Sequence, residues 1–162
     1  MALSVLLDTS FLITLVTRNR PQHTIAKQYY ELLIADKIPL YFSTIVASKF
    51  AIKQPITDLP LNNFRVIPFN IPHSIESARL WNLVGTSRGP GDSRDTIKDD
   101  LKIIAQASCE QIPFLLTEDA STLYKYCERL RLSNHVQTRA IKLVDGFNSA
   151  AFRPDGQQSL PL

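Results

Sequence analysis

The sequence predicts an α/β fold: a single three-layer domain with a central, mainly parallel sheet and helices on both faces. Three observations carry this. Short apolar runs such as Leu3-Ser4-Val5-Leu6-Leu7 and Phe114-Leu115-Leu116 close on an acid and small hydroxyl residues, as a buried strand does when it meets a helix cap. Stretches with apolar residues at helical spacing alternate with these runs. The 162 residues, 44% hydrophobic and 20% charged, are enough for one real core.

The first strand runs from Leu3 to Leu7, and a short helix follows over about Ser10 to Val16, ended before Arg18-Asn19-Arg20-Pro21. Thr24 is the expected cap of a second helix that places Ile25, Tyr29, Leu32 and Leu33 on one face. Pro39-Leu40-Tyr41-Phe42 reads as the second strand, and Ser43 caps a third helix to about Gln54, stopped by Pro55. Arg65 to Phe69 is a short extended piece. Ser74 opens a fourth helix, Ile75 to Val84, ended by Gly85 at its C′ position. Residues 85 to 94 hold three of the five glycines and are expected to form a mobile loop. A fifth helix starts at about Asp99. After the strand ending at Thr117, a sixth helix carries Leu123, Tyr126, Cys127 and Leu130 at i, i+3, i+4 and i+7. Ala140 to Val144 is the last strand. The domain is expected over residues 1–146, with 147–162 a loosely attached C-terminal tail.

This order places chemistry at one edge. Asp8 and Asp119 follow parallel strands, and open α/β sheets bind ligands at those carboxyl ends. A helix from Asp100 to about Cys109 runs ~15 Å away at 1.5 Å per residue. The strand from Phe114 to Glu118 returns ~16 Å at 3.3 Å per residue. Asp100 should therefore lie at the same edge. Any one of these aspartates could be a plain helix cap. That account weakens for three at one sheet edge.

The pieces Leu6-Leu7-Asp8-Thr9-Ser10, Ser43 to Phe50, Asp100 to Ala107 and Leu116-Thr117-Glu118-Asp119, in this order, resemble the PIN-domain family of metal-dependent ribonucleases, including VapC-type toxins. The resemblance covers about Leu3 to Val144. It implies Mg²⁺ or Mn²⁺ held by Asp8, Asp100 and Asp119, which would also be the catalytic residues. Thr9 or Ser10 would orient Asp8, and Thr117 would support the ligands from behind. Asp99 is the alternative to Asp100 should the register differ by one. The resemblance further implies RNA as substrate, an antitoxin protein as partner and a homodimer, while two thiols without a secretory signal suit a cytoplasmic setting. Tyr29, Tyr30 and Trp81 are the aromatics that would suit such a dimer contact.

The pattern departs at one place. Where the family's third helix carries Glu, this chain has Lys49. An ammonium about 4 Å from a carboxylate attracts it by roughly 4 kcal/mol at an effective dielectric of 20, so Lys49 is expected to pair with Asp8 or Asp100. Either three aspartates still bind metal and cleave RNA, or the chain is a catalytically impaired module that binds RNA or a protein partner without cutting. Glu76 and Glu118 do not replace the missing Glu: one lies on the next helix and the other precedes Asp119 on the opposite side of its strand. On base rate alone Lys49 would be a solvated helix residue.

Other classes fit less well. Ser10 stands where a haloacid-dehalogenase-type phosphatase needs its second Asp, and no acidic pair of a response-regulator receiver is present. No Gly-rich phosphate loop occurs. His23, His73 and His135 stand apart and suit surface or capping roles. Cys109 and Cys127 suggest reduced core thiols rather than zinc ligands. Arg18, Arg20, Arg88 and Arg94 lie on loops, where solvated charge is the default and phosphate contact the functional alternative. The net charge of +3 is weak evidence for nucleic acid. No apolar stretch approaches the ~20 residues of a membrane span.

Overall fold

A computed structural model describes residues 2–153. Five strands form one sheet: β1 (Val5–Leu7), β2 (Leu40–Ser43), β3 (Arg65–Ile67), β4 (Phe114–Thr117) and β5 (Arg139–Lys142). Their order is β3-β2-β1-β4-β5, and every pairing is parallel. Among the described residues six helices accompany them: α1 (Thr9–Val16), α2 (His23–Ala35), α3 (Thr44–Lys53), α4 (Ile71–Val84), α5 (Arg94–Cys109) and α6 (Leu123–Leu132). All residues of β1 and β4 are buried. Such unbroken apolar strands suit a parallel sheet covered on both faces. Right-handed crossovers put α1, α2 and α3 over one face and α4, α5 and α6 over the other, in line with the α1–α2, α1–α3, α4–α5 and α5–α6 packing. No helix among the described residues is long and apolar enough to cross a membrane.

Chain direction across the sheet reverses between β1 and β4. From β1 the chain steps outward to β2 and β3, then returns to β4 and continues to β5 on the other side. That reversal opens a crevice at the carboxyl ends. β1 and β4 pair with Leu7 opposite Leu116. One step further brings Asp8 beside Thr117.

Several boundaries differ from the sequence reading, each for a local reason. α2 begins at His23 after Gln22, which makes no side-chain cap, so Thr24 is not the cap. α4 begins at Ile71, three residues before Ser74. Asn70 and His73 form a reciprocal capping box there: the Asn70 N–H donates to His73 Nδ1 (3.1 Å), and the His73 N–H to Asn70 Oδ1 (3.5 Å). Gly85 is right-handed, φ −61°, and continues into a 3-10 turn instead of ending the helix in the left-handed region. A Cβ there would lie 2.7 Å from the Trp81 ring, so glycine serves a close approach. α5 begins at Arg94 on a Ser93 cap, five residues before Asp99. The last strand ends at Lys142, and Leu143 to Asp145 form a 3-10 turn.

The Gly85–Arg94 loop is pinned rather than free. Asp92 accepts hydrogen bonds from Lys125 Nζ (2.6 Å) and the Tyr126 hydroxyl (2.7 Å), and the Gly89 N–H donates to that same hydroxyl (3.0 Å). Arg129 donates to the Ser87 carbonyl (3.1 Å). The segment after Gly146 is also attached as far as it is described. Phe152 is 7% exposed and packs edge-on against Phe114 and Tyr29, and Phe147 packs on Tyr29. Tyr29 donates to the Gly146 carbonyl and accepts from the Asn148 N–H. The remainder of the expected tail, 154–162, lies outside the described residues.

Aromatics expected at an interface are used inside the chain. Tyr29 is buried in that cluster. Tyr30 lies against Phe64 and accepts from Asn63 Nδ2 (2.6 Å). Trp81 lies under Arg94 and Lys98. Cys127 is buried and Cys109 is exposed, so only one thiol is a core residue.

Candidate active site

Asp8 leaves β1 with extended backbone and caps α1. The capping reading holds, and the same carboxylate lines the crevice. Its Oδ1 accepts from the Phe11 N–H (2.8 Å), and Ser10 Oγ lies 2.9 Å from both oxygens. Its Oδ2 accepts from Thr117 Oγ1 (2.6 Å). Thr117 sits at the end of the neighbouring strand and is fully buried, so a strand-end hydroxyl fixes a strand-end carboxylate. Asp8 is itself 6% exposed. Burial pushes its pKa up to about 6, against the Thr117, Phe11 and Ser10 hydrogen bonds, and the Asp119 charge adds to the rise.

Thr117 also accepts from the Asp119 N–H (2.8 Å), so one hydroxyl joins the two aspartates. The Asp119 carboxylate is bound by its own following turn. Oδ1 accepts from the Ser121 N–H (2.9 Å), Ser121 Oγ (2.7 Å) and the Thr122 N–H (3.1 Å), and Oδ2 accepts from Thr122 Oγ1 (2.7 Å). Burial is the largest single influence and works against ionisation, but these donors together outweigh it and hold Asp119 below the usual carboxylate range.

Asp100 comes from the second turn of α5. Burial pushes its pKa up to about 7, eased by the Thr122 hydroxyl, raised again by Asp119 and Asp8, and eased by Lys49. Its Oδ2 is buried and has no hydrogen-bond partner. A buried carboxylate oxygen left bare is costly and is a mark of a ligand site.

Asp8, Asp100 and Asp119 line one cavity of about 170 Å³ at the carboxyl edge, and Thr9, Ser10, Ile45, Val46, Lys49 and Leu123 also line it. A larger groove of about 590 Å³ lies beside Leu3, Pro113 and Phe114 at the amino edge and contains no carboxylate. Size therefore does not identify the chemistry here.

Lys49 is placed differently from the expectation. Its Nζ lies 2.9 Å from Asp99 Oδ2, and Asp99 Oδ1 lies 3.6 Å from Lys102 Nζ. It pairs with neither Asp8 nor Asp100, because the Asp99 rim keeps both partners partly hydrated while the cavity would not. Asp99 is thus the lysine's partner, and Asp100, not Asp99, lines the cavity. Glu118 turns away: Arg20 lies 3.0 Å from its Oε2, and Thr14 Oγ1 donates to the same oxygen. Glu76 is taken by Arg79. The histidines act as caps and supports: His73 caps α4 and contacts Glu110, and His23 lies 2.9 Å from the Thr14 carbonyl.

Sequence reasoning missed Ser121 and Thr122. The spacing Asp119-x-Ser121-Thr122 is a visible signal, since an Asp side chain commonly binds backbone and hydroxyl groups two and three residues on.

The three carboxylates share the cavity without closing on a common point. Among the described residues no group of three His, Cys, Asp or Glu side chains is arranged to hold a metal ion as it stands. The donor chemistry still fits a hard divalent cation: three carboxylates, two of them resisting ionisation, and one bare buried oxygen.

No protein-family model matches the chain, and no curated protein matches it. Solved structures do. The structure of VapBC2 from Rickettsia felis bound to a DNA fragment from their promoter aligns with a TM-score of 0.59 at 15% identity, over 86% of this chain and 98% of that one. The Mycobacterium tuberculosis toxin VapC20, described as cleaving the sarcin–ricin loop, aligns with a TM-score of 0.54 at 18% identity, over 84% and 99%. DNA-bound VapBC from Salmonella typhimurium aligns with a TM-score of 0.54 at 15% identity, over 87% and 98%. The chain thus shares the overall fold of these VapBC and VapC structures.

Proposed function

We propose that this PIN fold carries a divalent-metal-dependent ribonuclease site, in the manner of a toxin of a toxin–antitoxin pair. The observation that supports it best is the convergence of Asp8, Asp100 and Asp119 on one cavity, with Asp100 Oδ2 buried and bare. These three residues would hold Mg²⁺ or Mn²⁺. When bound, such an ion lowers the pKa of water and offsets charge building on phosphorus. The chain's own residues supply the rest. Ser10 and Thr117 hold the Asp8 carboxylate, and Ser121 and Thr122 hold that of Asp119. Lys49 and Lys102 put cationic charge at the rim, where a phosphodiester would arrive.

The second reading, a module that binds RNA or protein without cutting, is favoured by Lys49 itself, which removes a carboxylate from the cavity wall. Calorimetric titration with Mn²⁺ and an RNA cleavage assay separate the two. Asp8→Asn is expected to abolish cleavage. Lys49→Glu is expected to tighten metal binding and speed cleavage together, by roughly tenfold or more, since the charge swings by two units near a divalent ion. Metal-dependent cleavage that survives Asp8→Asn would remove Asp8 from the site, and absence of cleavage by the natural chain with Mn²⁺ bound would sink the nuclease reading. Metal binding and cleavage only in the Glu variant would favour the non-cutting module.

The same reading carries an antitoxin partner, a homodimer and a cytoplasmic setting. Ile71 and Ile75, 71% and 68% exposed at i, i+4 on α4, offer an apolar stripe for one of these contacts. Light scattering at tens of micromolar should give a dimer mass. A monomer there would remove the homodimer.

A further inference from the structure

We propose that Asp99 is a positioning residue: by holding the Lys49 ammonium at the rim, it keeps that cation off the cavity's carboxylates and leaves the cavity open to a divalent ion. This rests on the metal-site reading above and assigns a role to a residue outside that site.

The geometry carries it. The Lys49 side chain forms part of the cavity wall, together with Asp8, Asp100 and Asp119. Its ammonium has three donors on a flexible four-carbon stem. In the same cavity, Asp100 Oδ2 is buried with no partner. A cation and a bare carboxylate oxygen in one pocket would ordinarily close on each other. Here Nζ sits 2.9 Å from Asp99 Oδ2 instead. Asp99 and Asp100 are adjacent on α5, about 100° apart around the helix. One therefore meets α3 at the rim while the other faces inward. Lys102 binds the second Asp99 oxygen at 3.6 Å, so the latch is held from both sides.

The energetics agree. Lys49 and Asp99 remain 43% and 34% exposed in their pair, so neither loses its full hydration. Entry into the cavity would strip water from the ammonium. The rim wins while Asp99 carries its charge. Without that charge the carboxylates that share the cavity lining with Lys49 are Asp8, Asp100 and Asp119. An ammonium seated on them would take the place of a divalent ion.

The test uses four full-length proteins: the natural chain, Asp99→Asn, Lys49→Met and the double variant. Each is titrated with Mn²⁺ alone by calorimetry, and the metal-free Asp99→Asn protein is crystallised. Asp99→Asn should weaken Mn²⁺ binding by roughly tenfold when Lys49 is present, and by much less in the Lys49→Met background, because only the lysine transmits the effect. In the crystal, Lys49 Nζ should lie within hydrogen-bonding distance of Asp8 or Asp100. An equal loss in both backgrounds would reduce Asp99 to a simple negative charge and overturn the latch. So would a Lys49 side chain left in solvent in the variant. If the natural chain binds no Mn²⁺, the crystal result alone decides the latch. The metal-site reading then fails separately, once Lys49→Met also binds none.

Discussion

The metal-free protein is expected to lose roughly 3 kcal/mol or more of stability between about pH 4 and about pH 8, with Asp8 as one named source. Burial raises the Asp8 pKa from 3.8 to about 6 and the Asp100 pKa to about 7. The sign follows from proton binding. A carboxyl whose pKa is higher folded than unfolded binds protons more tightly when folded. Its contribution is therefore fully present below about 3.8 and is lost as pH rises through about 6 for Asp8 and about 7 for Asp100. For Asp8 alone a rise of about two pH units corresponds to roughly 3 kcal/mol. Asp119 has the opposite sign, since its donors hold its pKa down, and it loses its contribution at the acid end instead. Denaturant unfolding across this window checks the slope. Asp8→Asn should flatten it, and saturating Mn²⁺ should offset the loss at the alkaline end by stabilising the ionised carboxylates. A stability that rises steadily from about pH 4 to about pH 8 would show that these carboxyls are not held protonated by burial.

Phe152→Ala should cost roughly 3–5 kcal/mol, a large part of the 5–15 kcal/mol by which domains are usually stable. Phe152 is buried and touches both Tyr29 and Phe114. Its removal leaves a cavity beneath α2 and at the start of β4, far from the carboxylates. The loss should appear in the unfolding midpoint with Mn²⁺ affinity nearly unchanged. A cost below about 1 kcal/mol would mean that the segment beyond Gly146 is as dispensable as its sequence suggests.

That segment illustrates what a linear reading can and cannot reach. Asp8, Thr117 and Asp119 belong to strand endings, where an apolar run, a hydroxyl and an acid stand next to each other in the chain. Their placement follows from local grammar and from the parallel register of β1 and β4. Asp100 was reachable too, because helix and strand lengths cancel. The partner of Lys49 was not. Choosing between Asp99 and Asp100 needs the rotation of α5, and its start at Arg94 carries no apolar residue until Ile97. Phe147 and Phe152 show no period, and Gly146 meets Tyr29 across 117 residues. The Trp81 ring against Gly85 is likewise a matter of packing, and it explains why a glycine that looked like a left-handed helix end is not one.

The saturation of Asp8 and Asp119 has a consequence for recognition. Each of their four oxygens accepts at least one bond from a hydroxyl or amide fixed to the backbone nearby. Their rotamers are thus restricted before any ion arrives, and little side-chain entropy remains to be lost there on binding. Preorganisation of this kind sharpens selectivity, because a ligand cannot recruit these carboxylates by bending them to its own geometry. The adjustable element is Asp100, carried on a helix with one oxygen uncommitted. Ion size should therefore be discriminated mainly by how far α5 can bring Asp100 toward two oxygen pairs that stay where the sheet has put them.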